Sequence, residues 1–474
     1  MKRIAILLAL LAALVTFAIG TVGASASSGA VVYDAIPSPL PPNVASLGFQ
    51  ATSTSEFGDY VHLDGTKRLL KSVTVTLSDW ALYSDYATDV RYSGNSTSWT
   101  HPITLNVYSD SFDANVVPTT LLATVTQNVT IPWRPAADPT CSGGTAWRAG
   151  DGNCYNGLAF NATFDLSSLN ATLTNSIVVG VAFNTQSYGA APIGSAGPYN
   201  SLNVGVPTSQ TASVGTDSNS NGVFWNTSFA AFYADGGAGG VGTFREDTNW
   251  APNGTVALQI EATQVCTPTG FSRDGMDLTA AQIGGTVSSE LDATGCNIGL
   301  YVDGDNPGGV ASGADIHGAN YFGVVVNGTS ANVQDGSIHN IGEVPFNGTQ
   351  HGNAVFYTAG ASGTVDGNTV SLYQKGGIIV DGTDTAVTVT NNAVTGLGQV
   401  DFIAQNGIQI SRGATALVKG NTVSGNWYTP KSFVSCGLLF FQAGGVKQQA
   451  NNLFDNEINL CNVGRGGGNY NPGS

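Results

Sequence analysis

Asp381 and Asp401 are the two carboxylates of this chain whose placement could support bond cleavage. Hydrolysis of a glycoside needs two carboxyl groups, about 5 Å apart for retention or about 6.5–9.5 Å for inversion. The two aspartates fall on successive copies of a repeat, Asp381 at the end of a strand pattern and Asp401 in an insert. Arg412 beside Asp381, and Lys431, offer a different chemistry. A lyase acting on a uronate must neutralise the sugar carboxylate and supply a basic proton acceptor. Around these groups stand Asn327, Tyr357 and Ser411, at equivalent places in the repeat, and Trp427, Tyr428 and Lys431 in a second insert. Amides and hydroxyls bond sugar hydroxyls, and aromatic faces stack on pyranose rings.

What must position these residues is a stretch written twice. Residues 377–382 read Gly-Ile-Ile-Val-Asp-Gly, and residues 407–413 read Gly-Ile-Gln-Ile-Ser-Arg-Gly. Further copies start at Gly299, Gly323, Asn353 and Gly437, with steps of 24, 30, 24, 30 and 30 residues. Each copy holds short period-two strand patterns closed by Gly or Asn turn residues, and none has an apolar run of helical spacing. A unit of that size cannot bury its own apolar face, so copies must stack. The economical arrangement is a coil of two or three strands per turn, each strand parallel to its counterpart about 4.8 Å away. Ile378 with Val380, Ile408 with Ile410, Leu438 with Phe440 and Val324 with Val326 then point inward. The asparagine pairs and Gly-Asn pairs around Asn368, Asn392, Asn421 and Asn451 recur at turns, where Asn tolerates the left-handed conformation and bonds neighbouring backbone. Four places past each start lie Asp303, Asn327, Tyr357, Asp381, Ser411 and Phe441, expected as an outward column. The longer copies carry inserts at 339–352, 396–406 and 425–435, which hold Glu343, His351, Asp401, Gln405, Trp427, Tyr428 and Lys431. Inserts on one side of a stacked array build a wall beside the column.

The pattern Gly-apolar-x-apolar, then an apolar strand, then Asn-x-apolar, resembles the right-handed parallel β-helix repeats of the pectin-lyase-like superfamily over roughly residues 296–461. The resemblance implies the fold. It does not imply one activity, because that fold carries lyases, hydrolases, epimerases, tailspikes and adhesins. Polygalacturonase-like members display Asp-Asp, Gly-His-Gly and Arg-x-Lys segments, and this chain has none of the three.

Between residues 31 and 265 the grammar changes. Strands of strict alternation appear around Val73, Leu105, Phe164, Val179 and Leu258, separated by long and unequal spacers. Alternation buries one face and wets the other, which suits a jelly-roll-like sandwich of antiparallel sheets. Two long loops, 132–156 and 187–226, hold Trp133, Trp147 and Trp225, which either plug the ends of the sandwich or contact sugar. The expected fold is therefore all-β: a sandwich over 31–265, a right-handed parallel β-helix over 271–465 and a Gly-rich tail over 466–474.

Composition sets the compartment. Lys2-Arg3, an apolar run from Ile4 to Ile19 and Ala24-Ser25-Ala26 read as a signal peptide over 1–26, with a retained anchor as the alternative. No later run is long enough to span a membrane, so a secreted, extracellular protein is expected, with no membrane insertion after signal removal. A net charge of −16 with only 16 basic residues excludes nucleic acid and anionic membrane as partners. The six cysteines allow fifteen connectivities. The sequential pairs Cys141–Cys154, Cys266–Cys296 and Cys436–Cys461 are expected, each stabilising by about 3 kcal/mol. With no Cys-x-x-Cys and no His-x-x-x-His, no metal site or cofactor is expected, and calcium has no supporting pattern. Asn-x-Ser/Thr triplets such as the one at Asn327 are either glycan acceptors or chance in so Asn- and Thr-rich a chain.

Two functions fit. One is an exported surface protein that binds polysaccharide or a cell-surface partner without turnover. The other is a carbohydrate-active enzyme, a polysaccharide lyase or glycoside hydrolase acting on acidic glycans.

Overall fold

The computed structural model describes residues 29–430 and 432–464. The expected signal peptide, Lys431 and the Gly-rich tail lie outside the described residues. The N-terminal part is a sandwich of two antiparallel sheets. One contains Ala30–Asp34, Leu258–Thr263, Leu69–Asp79, Leu202–Gly205 and Ser46–Gly48, with Leu158–Asp165 joined to Leu69–Asp79. The other runs Arg245–Thr248, Gly222–Thr227, Thr54–His62, Ser176–Ala182, Ser98–Ser109 and Leu121–Pro132, with Thr216–Asp217 joined to Thr54–His62. Alternate residues of both sheets, Val73, Val75 and Leu77 with Ile103, Leu105 and Val107, meet in one core. The expected loop 187–226 in fact supplies three of these strands, because short Gly- and Asn-bounded segments there pair with neighbours far away in sequence.

Of the two readings of the three tryptophans, the structure shows the one in which they close the sandwich. Trp133, Trp147 and Trp225 are all buried. Their indole N–H groups donate to Asn95 O, Gly157 O and Thr54 Oγ1 respectively, so they close the sandwich rather than face a ligand.

The sandwich ends at Thr263, and from Thr267 the chain builds three parallel sheets, one strand of each per coil. The first sheet stacks Met276–Ile283, Ile298–Val302, Phe322–Asn327, Asn353–Thr358, Gly376–Asp381, Asn406–Ser411, Cys436–Phe441 and Ile458–Val463. Its open edge is covered by Thr267–Arg273, which pairs antiparallel with Met276–Ile283. An uncovered parallel edge would be a template for another chain. Ile378 pairs with Ile408 and Ile408 with Leu438, and all three are fully buried. The repeat glycines are explained by close approach. A Cβ on Gly407 would lie 2.3 Å from the Val423 side chain and 2.6 Å from Gly437 O.

At the turns the asparagines form a buried ladder. Asn368, Asn392 and Asn421 each donate both backbone N–H and Nδ2 to the Oδ1 of the next member, ending at Asn451, at 2.9–3.0 Å. The left-handed residue is the one before each ladder asparagine: Gly367, Asn391, Gly420 and Ala450. The ladder residues are therefore there for their amides, not for their backbone. All three expected disulfides form. Among the described residues no helix is long and apolar enough to cross a membrane.

Candidate functional site

The outward face of the first sheet has two edges, and the expected column and wall occupy one each. The column edge is where the strands end. Register places Asn327 beside Thr358, and Asp381 beside Ser411 and then Phe441. Tyr357 is not in this column. It pairs with Val326 and Val380, is fully buried in the coil interior, and donates its hydroxyl to Ala331 O. The reason is a one-residue offset: Asn353 is the partner of Gly376, so Ala354 holds the glycine place and Thr358 the outward one.

Asp381, Ser411 and Arg412 do come together. Asp381 accepts from Ser411 Oγ at 2.7 Å and from Arg412 Nε and a terminal guanidinium nitrogen at 2.8 and 2.5 Å. Asp381 and Ser411 are buried while Arg412 is exposed, so this cluster is a closed ion pair that locks two coils. Its carboxylate has little capacity left for a substrate. Asn327 donates to Tyr301 Oη at 2.9 Å.

Asp401 is at the other edge. It is exposed in the loop that feeds Asn406, whereas Asp381 is level with Ser411, five residues further along that strand, about 17 Å at the usual rise. Asp381 is engaged by Ser411 and Arg412, whereas Asp401 is exposed at the start of the loop whose Phe402 borders the groove, so the two carboxylates have different surroundings.

The wall edge is built by two buried amides. Gln374 Oε1 accepts from Glu343 N and Asn347 N, and its Nε2 donates to Thr349 O and His351 O. Gln405 Oε1 accepts from Leu397 N, and its Nε2 donates to Tyr373 O. Gln405 thus holds the wall and does not face a ligand. On the wall, His351 Nε2 meets Glu343 Oε1 at 2.6 Å, and its ring stacks 3.8 Å from Tyr321.

Between the loops lies a groove of about 340 Å³. Its floor is Leu439, Phe441, Cys461 and Val463, outward residues of the last two coils, and its sides are Phe402–Ala404 and Tyr428 with Phe433 and Val434. Gln350, Lys375 and Cys436 complete it, and among the described residues no Asp or Glu lines it. Trp427 is turned away and donates Nε1 to Asp455 O. Lys375 Nζ donates to Ala404 O at 2.9 Å. Burial pulls its ammonium down to about 8, because water is excluded and no carboxylate compensates. Lys375 was not singled out by the sequence, because its burial comes from a loop one coil later.

Residues 282–456 match the family model described as a right handed beta helix region. The C-terminal half is a right-handed parallel β-helix. Solved structures paired with the chain include the catalytic unit of a thermostable GH87 alpha-1,3-glucanase from Streptomyces thermodiastaticus strain HF3-3. It is 11% identical, with 92% of this chain and 68% of that chain covered and a TM-score of 0.15. The Agl-KA catalytic domain is 11% identical, with 92% and 75% covered and a TM-score of 0.17. A glycoside hydrolase is 10% identical, with 90% and 82% covered and a TM-score of 0.23. Superpositions this poor carry nothing over to the β-helix groove. No curated protein matches the chain.

Proposed function

We propose that this is an exported surface or extracellular protein whose β-helix binds polysaccharide, or a glycan on a cell-surface partner, without turning it over. The observation that carries this reading is the groove itself. Among the described residues it combines the aromatic side chains Phe402, Tyr428, Phe433 and Phe441 with the Lys375 cation and no carboxylate. Aromatic faces supply stacking area, and Lys375 has two N–H donors beyond the one that Ala404 accepts. A carboxylate-bearing sugar is the best fit to a half-buried ammonium with no carboxylate among the described lining residues. The net charge of −16 argues against nucleic acid as the partner.

The second reading, a polysaccharide lyase or glycoside hydrolase acting on acidic glycans, is favoured by one feature. His351, oriented by Glu343, has the form of a positioned base close to the Gln350 end of the groove. Arg412 is already committed to Asp381.

Binding to an immobilised uronate oligosaccharide tests the first reading. Lys375→Met is expected to weaken binding roughly 10-fold or more, as for loss of a charge-assisted hydrogen bond. Wild-type binding should also fall as pH rises through about 8, where Lys375 loses its proton. The nearby charged groups are Glu343 and His351 on one loop, Asp401 on another, and Glu457, which accepts from Tyr428 N and Ser435 N. Unchanged affinity in Lys375→Met would remove the groove from the account.

A further inference from the structure

We infer that the outer face of the second sandwich sheet is a separate binding cleft for a neutral saccharide, with Glu56 accepting hydrogen bonds from sugar hydroxyls. The cleft encloses about 410 Å³ and is lined in part by Ser55, Glu56, Thr104, Asn106, Thr126 and Asn226. Strict alternation would put Glu56 in open water. Instead its side chain lies across the sheet.

The space for it is made by glycine. Gly180 faces Gly58 in register, and a Cβ on Gly180 would stand 2.2 Å from Glu56 Oε1 and 3.0 Å from the Phe244 ring. Any larger residue at 180 would push the carboxylate off. Asn106 Nδ2 and Tyr108 Oη then fix Oε1 at 2.8 and 3.0 Å. Oε2 accepts no hydrogen bond from the described side chains. Burial raises the carboxyl above its usual range. The group is thus preorganised at the cost of its own hydration, and one oxygen still has acceptor capacity.

The surroundings select the ligand. Apart from Glu56 the lining is hydroxyl, amide and apolar, with no Lys or Arg, so an anionic sugar has no partner there. Phe224 and Phe244 are buried in an apolar cluster with Tyr60, Tyr108 and Phe112 that supports this face without lining the cleft. A concave lining of hydroxyls and amides around one fixed acceptor suits a neutral pyranose chain, whose hydroxyls both donate and accept. The site shares no residue with the β-helix groove and stands whether or not the groove binds glycan.

The test is calorimetric titration of the full chain with neutral glucan and mannan hexasaccharides. Wild type is expected to bind at least one of them, Glu56→Gln to bind it at least 10-fold more weakly, and Lys375→Met to bind it as wild type does. Thr126→Trp, which fills the rim of the cleft without touching the Glu56 hydrogen bonds, should also lose binding and covers the case in which Glu56→Gln does not fold. The inference is overturned if no neutral hexasaccharide binds, if Glu56→Gln and Thr126→Trp bind as tightly as wild type, or if Lys375→Met abolishes binding.

Discussion

Replacing Asn392 by leucine is expected to lower the stability of the β-helix by on the order of 3–5 kcal/mol. The volume is nearly kept, so the loss is in hydrogen bonding. Asn392 Oδ1 accepts from both Asn368 N and Asn368 Nδ2. Its own Nδ2 donates to Val365 O and Asn421 Oδ1. Leucine leaves a buried amide N–H and a buried carbonyl without these partners in a site that water does not reach. Neighbours above and below would relax only by breaking register along a stack in which every coil leans on the next. Urea unfolding followed by a signal from the C-terminal half measures it. A loss below about 1 kcal/mol would show that the ladder is incidental to stability.

The second large effect is acid stabilisation of the sandwich. Burial pushes the Asp79 carboxyl up to about 8, and only Ala81 N, Trp99 Nε1 and more distant contacts pull the other way. Asp59 is held well above its usual range by burial and then by Asp217, and Glu56 and Asp217 are raised mainly by burial. For such groups the folded state keeps a proton that the unfolded chain releases near pH 4. Their contribution is therefore complete below the unfolded value and is lost as pH rises through the folded one. A full proton difference amounts to about 1.4 kcal/mol per pH unit. His101 works in the opposite sense below about 6.5, because burial lowers its value and keeps it neutral. Between about pH 6.5 and 8 Asp79 acts without it. Thermal unfolding of the sandwich should move to lower temperature as pH rises across that window. In Asp79→Asn the dependence should flatten by close to one proton. A midpoint that rises with pH between 6.5 and 8 would contradict this.

The stacked fold was legible because its cause is local. A glycine that cannot carry a Cβ, two inward apolar residues and a turn amide recur in most coils, and each is required by contact with a neighbouring coil. The column expected to face solvent has Asp381 and Ser411 buried against Arg412, and at one place its register failed. In the third coil Ala354 replaces the glycine, and counting from Asn353 put Tyr357 outward when it is in the core. Asp381 was rightly placed beside Arg412, yet nothing in the spacing said that the two would neutralise each other. Lys375 and Glu56 were missed because what makes each unusual is contributed by distant residues: Ala404 for one, and Gly180, Asn106 and Tyr108 for the other. The tryptophans left two readings open, since a ring in a long loop reads the same whether it faces solvent or closes a core, and burial decides for the second.

The most direct test of the account joins binding and chemistry in one vessel. Purified full-length protein is titrated calorimetrically with a uronate oligosaccharide, and the same samples are followed at about 235 nm for unsaturated product and assayed for new reducing ends. The account predicts saturable heat that disappears in Lys375→Met, with neither product rising above the protein-free control. Steady release of either product, or no heat from the wild-type protein, would contradict it.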